Sequence, residues 1–172
     1  MSLDISLENI KKKIGDNRHG FLRKNKYKVI LTKMDSSESN LSLFASGVDI
    51  PALDYTTTDL DIGGHIIGVT NKWQPAEVTI SFYNTGSEYL AINSYSDKLY
   101  NQSNHAFGYY DDVVIDITII ELDQMGNPAQ EIKYTKCILR GVGPLQLSYD
   151  ESTSIETFTA TFGVGYREVV KH

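Results

Sequence analysis

The strongest constraint in this 172-residue sequence is a two-residue period of apolar side chains. Between Glu77 and Tyr83, Val78, Ile80 and Phe82 alternate with Glu77, Thr79, Ser81 and Tyr83. Between Val113 and Glu121, the positions Val113, Ile115, Ile117 and Ile119 form one set, with Asp116 and Thr118 in the other. From Ile155 to Tyr166, Phe158, Ala160, Phe162, Val164 and Tyr166 alternate with Thr157, Thr159 and Thr161. Successive side chains of a strand point to opposite faces, so each stretch predicts a strand with one apolar and one polar face.

The rest of the chain fits around these strands. Tyr27–Met34 reads as a strand with Tyr27, Val29 and Leu31 on one face, and Leu41–Ala45 can return antiparallel to it. Pro51 then breaks the strand pattern, because proline cannot donate to a sheet ladder. Met125-Gly126-Asn127-Pro128 is a turn signal before a strand over Glu131–Leu139, and a short strand is expected over Leu145–Tyr149. Thr85-Gly86-Ser87-Glu88 has the form of a capping box; it predicts a helix to about Tyr100, with Tyr89, Ile92, Tyr95 and Leu99 on one face. Leu3, Leu7, Ile10 and Ile14 have the spacing of a short amphipathic helix that Gly15 can end. The expected fold is mainly β, a sandwich or barrel with one central α-helix and a short N-terminal helix. It divides into an arm over residues 1–24 and a β domain over residues 25–172.

Asp54–Trp73 stands apart. It holds Thr56, Thr57, Thr58, Asp59, Asp61, Gly63, Gly64, His65 and Gly68, alternates like a strand pair, and offers little continuous apolar face. A long, weakly buried hairpin or loop is expected, one that a partner orders.

Charge is unevenly spread. Residues 1–28 carry eight bases (Lys11, Lys12, Lys13, Arg18, Arg23, Lys24, Lys26, Lys28) against three acids, a net of +5. The remainder carries eight bases and nineteen acids, a net of -11. Such a body repels nucleic acid, and the basic arm can grip an acidic neighbour or simply be solvated.

Residues that carry chemistry are present without the patterns that use them. His19, His65, His105 and His172 lack zinc-ligand spacing, and Cys137 has no second cysteine to pair with. The Gly63–Gly68 stretch lacks the Lys-Ser/Thr of a phosphate loop. Asp111 and Asp112 are adjacent, and in a strand they would point to opposite faces, so they read as a solvated loop end. No nucleophile elbow is present. No catalytic residue, metal or cofactor is therefore expected. The longest apolar stretch, Val113–Leu122, is broken by Asp116 and Glu121 and is too short for a membrane helix. The N-terminus lacks a signal-peptide core, which with the lone cysteine leads us to expect assembly in a reducing cytoplasm.

The final third resembles the tail-tube proteins of contractile-tailed phages. The carrying residues are Gly141-Val142-Gly143-Pro144-Leu145-Gln146-Leu147-Ser148-Tyr149-Asp150, then Ile155-Glu156-Thr157-Phe158-Thr159-Ala160-Thr161-Phe162 through Tyr166. They give a Gly/Pro loop, a Leu-x-Leu strand, a polar turn and a long strand closing on an aromatic. Upstream, Asn25–Leu31 is similar to the family's opening strand, Phe44–Leu53 to the segment leading into its inter-ring loop, and Trp73–Asn84 to the strand entering its helix. The resemblance covers about residues 25–167.

The resemblance implies a virion structural protein of the tail. Its subunits would form hexameric rings that stack into a tube, with sheath and baseplate as partners and viral DNA passing through without sequence-specific binding. It implies that Glu77, Thr79, Ser81, Asp116, Thr118, Thr157, Thr159 and Thr161 line the channel. It also implies that Asp54–Trp73 reaches another ring, and that Lys11, Lys12, Lys13, Arg18, Arg23 and Lys24 contact a neighbour. Two alternatives stay open: a tube initiator or baseplate protein of the same fold, and, in another class, a soluble β-sandwich module that binds a ligand through its tyrosines.

Overall fold

The structure, a computed structural model, describes residues 22–32, 42, 44–73, 77–145 and 155–171. The expected Leu3–Ile14 helix, Lys11, Lys12, Lys13, Arg18 and nearly all of the expected Leu145–Tyr149 strand lie outside them. Among the described residues the elements are, in order, β1 (Tyr27–Thr32), β2 (Ala45–Asp49), β3 (Tyr55–Ile62), β4 (His65–Trp73), β5 (Glu77–Tyr83), α1 (Glu88–Leu99), β6 (Tyr100–Asn101), β7 (Ala106–Phe107), α2 (Tyr110–Val113), β8 (Ile115–Leu122), β9 (Pro128–Val142), β10 (Thr157–Gly163) and β11 (Tyr166–Lys171).

The fold turns on β9, 15 residues long. One of its sides pairs with β8, and β8 with β1. Its other side pairs with β11 over residues 130–135 and with β10 over residues 138–142; β10 continues to β5 and β5 to β2. Every pairing is antiparallel. The two halves of β9 thus belong to two sheets, β1-β8-β9-β11 and β9-β10-β5-β2. The strand changes sheet at an irregularity around Lys136, whose φ of 55 is in the left-handed region. Asp116 of β8 holds this bulge by accepting the Lys136 N–H at 3.1 Å.

The bulge corrects the expected last strand. Instead of running unbroken to Tyr166, the chain stops at Gly163 and resumes at Tyr166. Gly165 passes so close to β9 that a Cβ there would lie 2.9 Å from the Lys136 carbonyl oxygen. The interruption resets the alternation. Val164 is buried, but Tyr166, expected inward, is 62% exposed and its ring carries the Lys136 ammonium 5.5 Å from its centre. The early return strand expected over Leu41–Ala45 lies largely outside the described residues; the strand that follows, β2 over Ala45–Asp49, pairs with β5.

Elsewhere alternation matches burial. Val29, Leu31, Val78, Ile80, Phe82, Ile115, Ile117, Ile119, Phe158, Ala160 and Phe162 all lie in one core. Val113, expected in the β8 strand, is buried at the end of the one-turn helix α2, which also carries the exposed Asp111 and Asp112. Helix α1 closes the core with Ile92 and Tyr95; its Tyr89 meets Phe158 edge-on at 5.4 Å, and Phe158 stacks on Phe82 at 5.4 Å. The Tyr95 hydroxyl donates to the Val113 carbonyl, and burial pushes that phenol up to about 12.

The helix start keeps half of the expected box. The Glu88 carboxylate accepts the Thr85 N–H at 2.6 Å and the Thr85 and Ser87 hydroxyls, while Ser87 at the N-cap makes no side-chain bond to the helix backbone. Burial opposes Glu88 ionisation, but these hydrogen bonds outweigh it and hold the carboxyl below its ordinary value. Asp123 organises the β8–β9 turn the same way, accepting the Met125 and Asn127 N–H groups at 2.7 and 2.9 Å.

Candidate assembly surfaces

The polar positions of β5 and β10 form one surface. Antiparallel register sets Thr157 opposite Tyr83, Thr159 opposite Ser81, and Thr161 opposite Thr79, whose hydroxyls lie 3.3 Å apart. Glu77 stands at the end of this face and is bridged at 2.6 Å by Arg140. Across β2, Gly47 pairs with Ser81 and Asp49 with Thr79. The face is therefore rich in hydroxyls and glycine. Its charges are one ion pair and Asp49.

Asp116 and Thr118 do not join this surface. They lie on β8, in the other sheet, where Thr118 pairs with Lys133 and Asp116 is engaged with the Lys136 bulge. Sequence alternation assigns each residue to a polar face, but it cannot say which sheet that face belongs to.

The second surface is the β3–β4 hairpin. Its two strands pair only with each other, and all side chains described between Tyr55 and Asn71 are exposed. Its tip is a two-residue turn: Gly63 and Gly64 have φ values of 65 and 84, and the Gly64 N–H donates to Asp61 at 2.9 Å. Both residues need positive φ, which glycine adopts without a Cβ clash. The tight turn fixes the register: Thr58 faces Val69, Leu60 faces Ile67, and Ile62 faces His65. Leu60, Ile62, Ile67 and Val69 consequently share one face, while Thr57, Asp59, Asp61, Thr70 and the apolar Ile66 occupy the other. This corrects the expectation that the segment lacks a continuous apolar face. The signal was legible as Gly63-Gly64 between alternating residues; once it sets the pairing, apolar residues from two strands add into one stripe.

A third surface was not visible in the sequence. Strands β1 and β2 each pair on one side only, and a cleft of about 730 Å³ opens between them. Tyr27, Val48, Ile50 and Ile119 line it, with Arg23, Lys24 and Lys26 at its rim and Asp49 and Glu121 also present. Arg23 and Lys24 are the described members of the basic arm, and both are exposed.

Among the described residues, no group of three or more His, Cys, Asp or Glu could hold a metal ion. No helix among them is long and apolar enough to cross a membrane. Cys137 is buried, and desolvation, with the nearby Asp116 charge, pushes its thiol up to about 12.

No protein-family profile matches the sequence, and no curated relative matches it. Solved structures do match in fold. A chain of the sheath–tube complex of the extracellular contractile injection system PVC, in its extended state, superposes with a TM-score of 0.69 at 12% identity, covering 98% of this chain and 100% of that one. A chain of the anti-feeding prophage tube-terminating cap gives 0.66 at 11% identity, covering 88% and 92%. A chain of the anti-feeding prophage baseplate gives 0.61 at 9% identity, covering 87% and 95%. The protein has the fold of these contractile-system chains, mainly β with antiparallel sheets, as the tail-tube resemblance implied.

Proposed function

We propose that this chain is a structural subunit of the inner tube of a contractile particle, forming hexameric rings that stack around a channel. The observation that carries this reading is its end-to-end coincidence in fold with a chain of a sheath–tube complex. The β3–β4 hairpin supports it: an arm whose apolar stripe stays exposed among the described residues calls for a neighbour.

In this reading Glu77, Thr79, Ser81, Thr157, Thr159 and Thr161 line the channel, and Asp116 and Thr118 face away from it. Nucleic-acid affinity comes mainly from Lys and Arg neutralising phosphates. The hydroxyl face offers only Arg140, already bound to Glu77, so viral DNA passes without sticking. The hairpin, including Thr56, Asp59, Asp61, Gly63, Gly64, His65 and Gly68, is the inter-ring element. Lys11, Lys12, Lys13, Arg18, Arg23 and Lys24 bind acidic surface on a neighbour, and sheath and baseplate proteins are the other partners. The particle is a virion tail assembled in the host cytoplasm.

The likeness to cap and baseplate chains favours a second reading, a tube initiator or terminator used once per particle. Electron microscopy of the purified protein separates the two. Long tubes establish the repeating subunit, and rings that stop at one or two layers establish the initiator. A monomer at all concentrations overturns both.

A further inference from the structure

Two surfaces formed by the described residues of this chain complement each other. We propose that the cleft between β1 and β2 is the receptor for the β3–β4 hairpin of a second copy, an inference that rests on the tube reading above.

The hairpin presents Leu60, Ile62, Ile67 and Val69 from one face, at 46%, 61%, 49% and 41% exposure. From the other face it presents Asp59 and Asp61 beside Ile66, and no Lys or Arg lies between Tyr55 and Asn71. The cleft answers both features. Its walls are the apolar parts of Tyr27, Val48, Ile50 and Ile119, and its rim carries Arg23, Lys24 and Lys26 against Asp49 and Glu121. Among the described residues no salt bridge engages Arg23 or Lys24, while Lys26 donates to the Gln124 carbonyl at 2.5 Å. An acidic arm with an apolar stripe thus meets a net basic, apolar-walled slot.

Backbone geometry points the same way. Among the described residues the two sheets do not close at the cleft: β1 pairs only with β8 and β2 only with β5. Among the described residues each leaves backbone groups without a strand partner that a visiting strand can use, except the Leu31 N–H of β1, which donates to the Ser42 Oγ at 3.2 Å. The hairpin has free outer edges of its own, because β3 and β4 bond only to each other. Burying its stripe and pairing its edge answer two exposed liabilities at once. The contact joins different patches on the two copies, so it is heterologous and propagates from subunit to subunit, as a ring or stack requires.

The test uses two single-cysteine variants, Ile67→Cys on the hairpin and Ser46→Cys in the cleft. The native Cys137 is buried with a raised thiol pKa and serves as a silent background. Equimolar variants are mixed under assembly conditions, oxidised, and mapped by mass spectrometry, with electron microscopy on the same sample. A 46–67 disulfide joining the two variants, absent from either alone, is expected. Tubes or rings without that product overturn this inference and leave the tube reading standing; no assembly of the parent chain at any concentration overturns both. Charge supplies an independent arm. Asp59→Lys with Asp61→Lys should raise the concentration needed for assembly about tenfold, since exposed pairs contribute weakly one by one and add over two sites. Adding Arg23→Glu and Lys24→Glu should recover most of the loss. Failure of the second pair to rescue, with both proteins folded by circular dichroism, counts against the cleft as the receptor.

Discussion

Replacing Phe158 by alanine tests whether the core is assembled as described. Phe158 is 2% exposed and stands between the Phe82 ring, stacked at 5.4 Å, and the Tyr89 ring, edge-on at 5.4 Å. It therefore joins β5 and β10 to helix α1. Truncating a buried phenylalanine to alanine costs about 3–5 kcal/mol through lost transfer energy and the cavity left behind. Domains of this size typically lose about 2–4 °C of Tm per kcal/mol, so Phe158→Ala should melt about 6–20 °C below the parent. Phe158→Leu keeps most of the volume and loses mainly the two ring contacts, each about 0.5–1.5 kcal/mol, so it should fall in between. Thr159→Ala, one residue on and facing outward, should change stability by no more than about 0.5 kcal/mol. The assay is thermal unfolding by circular dichroism at a fixed, low concentration, because assembly would add a concentration-dependent increment to Tm. A Phe158→Ala variant within about 2 °C of the parent would refute the placement of this side chain at the sheet–helix joint.

Three further outcomes are expected from the same structure. Glu88 has a carboxyl held below its ordinary value of 4.5, so its contribution is complete above that pH and is lost as pH falls through the lowered folded value. Glu88→Gln should therefore be less stable than the parent at pH 7, with the gap narrowing in acid; a gap that is constant from pH 7 to pH 2 would show that the charge is not involved. Cys137, buried with its thiol pushed up to about 12, should resist a thiol reagent at pH 8 in the folded protein and react at once in guanidinium, and fast labelling of the folded chain would contradict its burial. Amides of Tyr55–Asn71 should exchange faster in isolated subunits than those of β8 and β9, and should gain protection on assembly; equal protection in both states would remove the case for a hairpin docked on a neighbour.

Much of the fold was legible because burial on one face forces alternation. Val78, Ile80 and Phe82, or Ile115, Ile117 and Ile119, declare an inward face without reference to any other strand. What alternation lacks is pairing. It could not place β2 beside β5 rather than β1, because a five-residue strand of small and apolar residues carries no register signal of its own. Nor could it foresee that Lys136 would adopt a left-handed φ and so reset the inward face between Val164 and Tyr166. Glu77, Thr79, Ser81, Thr157, Thr159 and Thr161 share one surface because β5 and β10 are neighbours. Asp116 and Thr118 looked equivalent to them only because they are polar and alternate with core residues. The cleft between β1 and β2 had no signature, because it is made by two strand edges failing to meet.

Free edges and the exposed arm together explain why such a chain would assemble. Among the described residues, β1, β2 and β11 each have one unpaired side, and β3 and β4 leave two more. Monomeric β proteins protect edges with prolines, inward charges or covering loops. Here β1 carries one exposed lysine, Lys28, and neither β1 nor β2 contains a proline. An unprotected edge is a hazard when any strand can add to it, but it becomes a specific joint when one complementary arm is present at high local concentration. The hairpin's stripe and its two aspartates restrict which edge it can join, and the basic rim restricts where. Among the described residues the hydroxyl face of β5 and β10 has neither a free apolar stripe nor an unpaired base, so in the proposed tube it does not compete for the arm and stays open to water. The same strand alternation that builds the core thus separates an apolar surface from a hydroxyl-rich one, which is what the proposed tube would require.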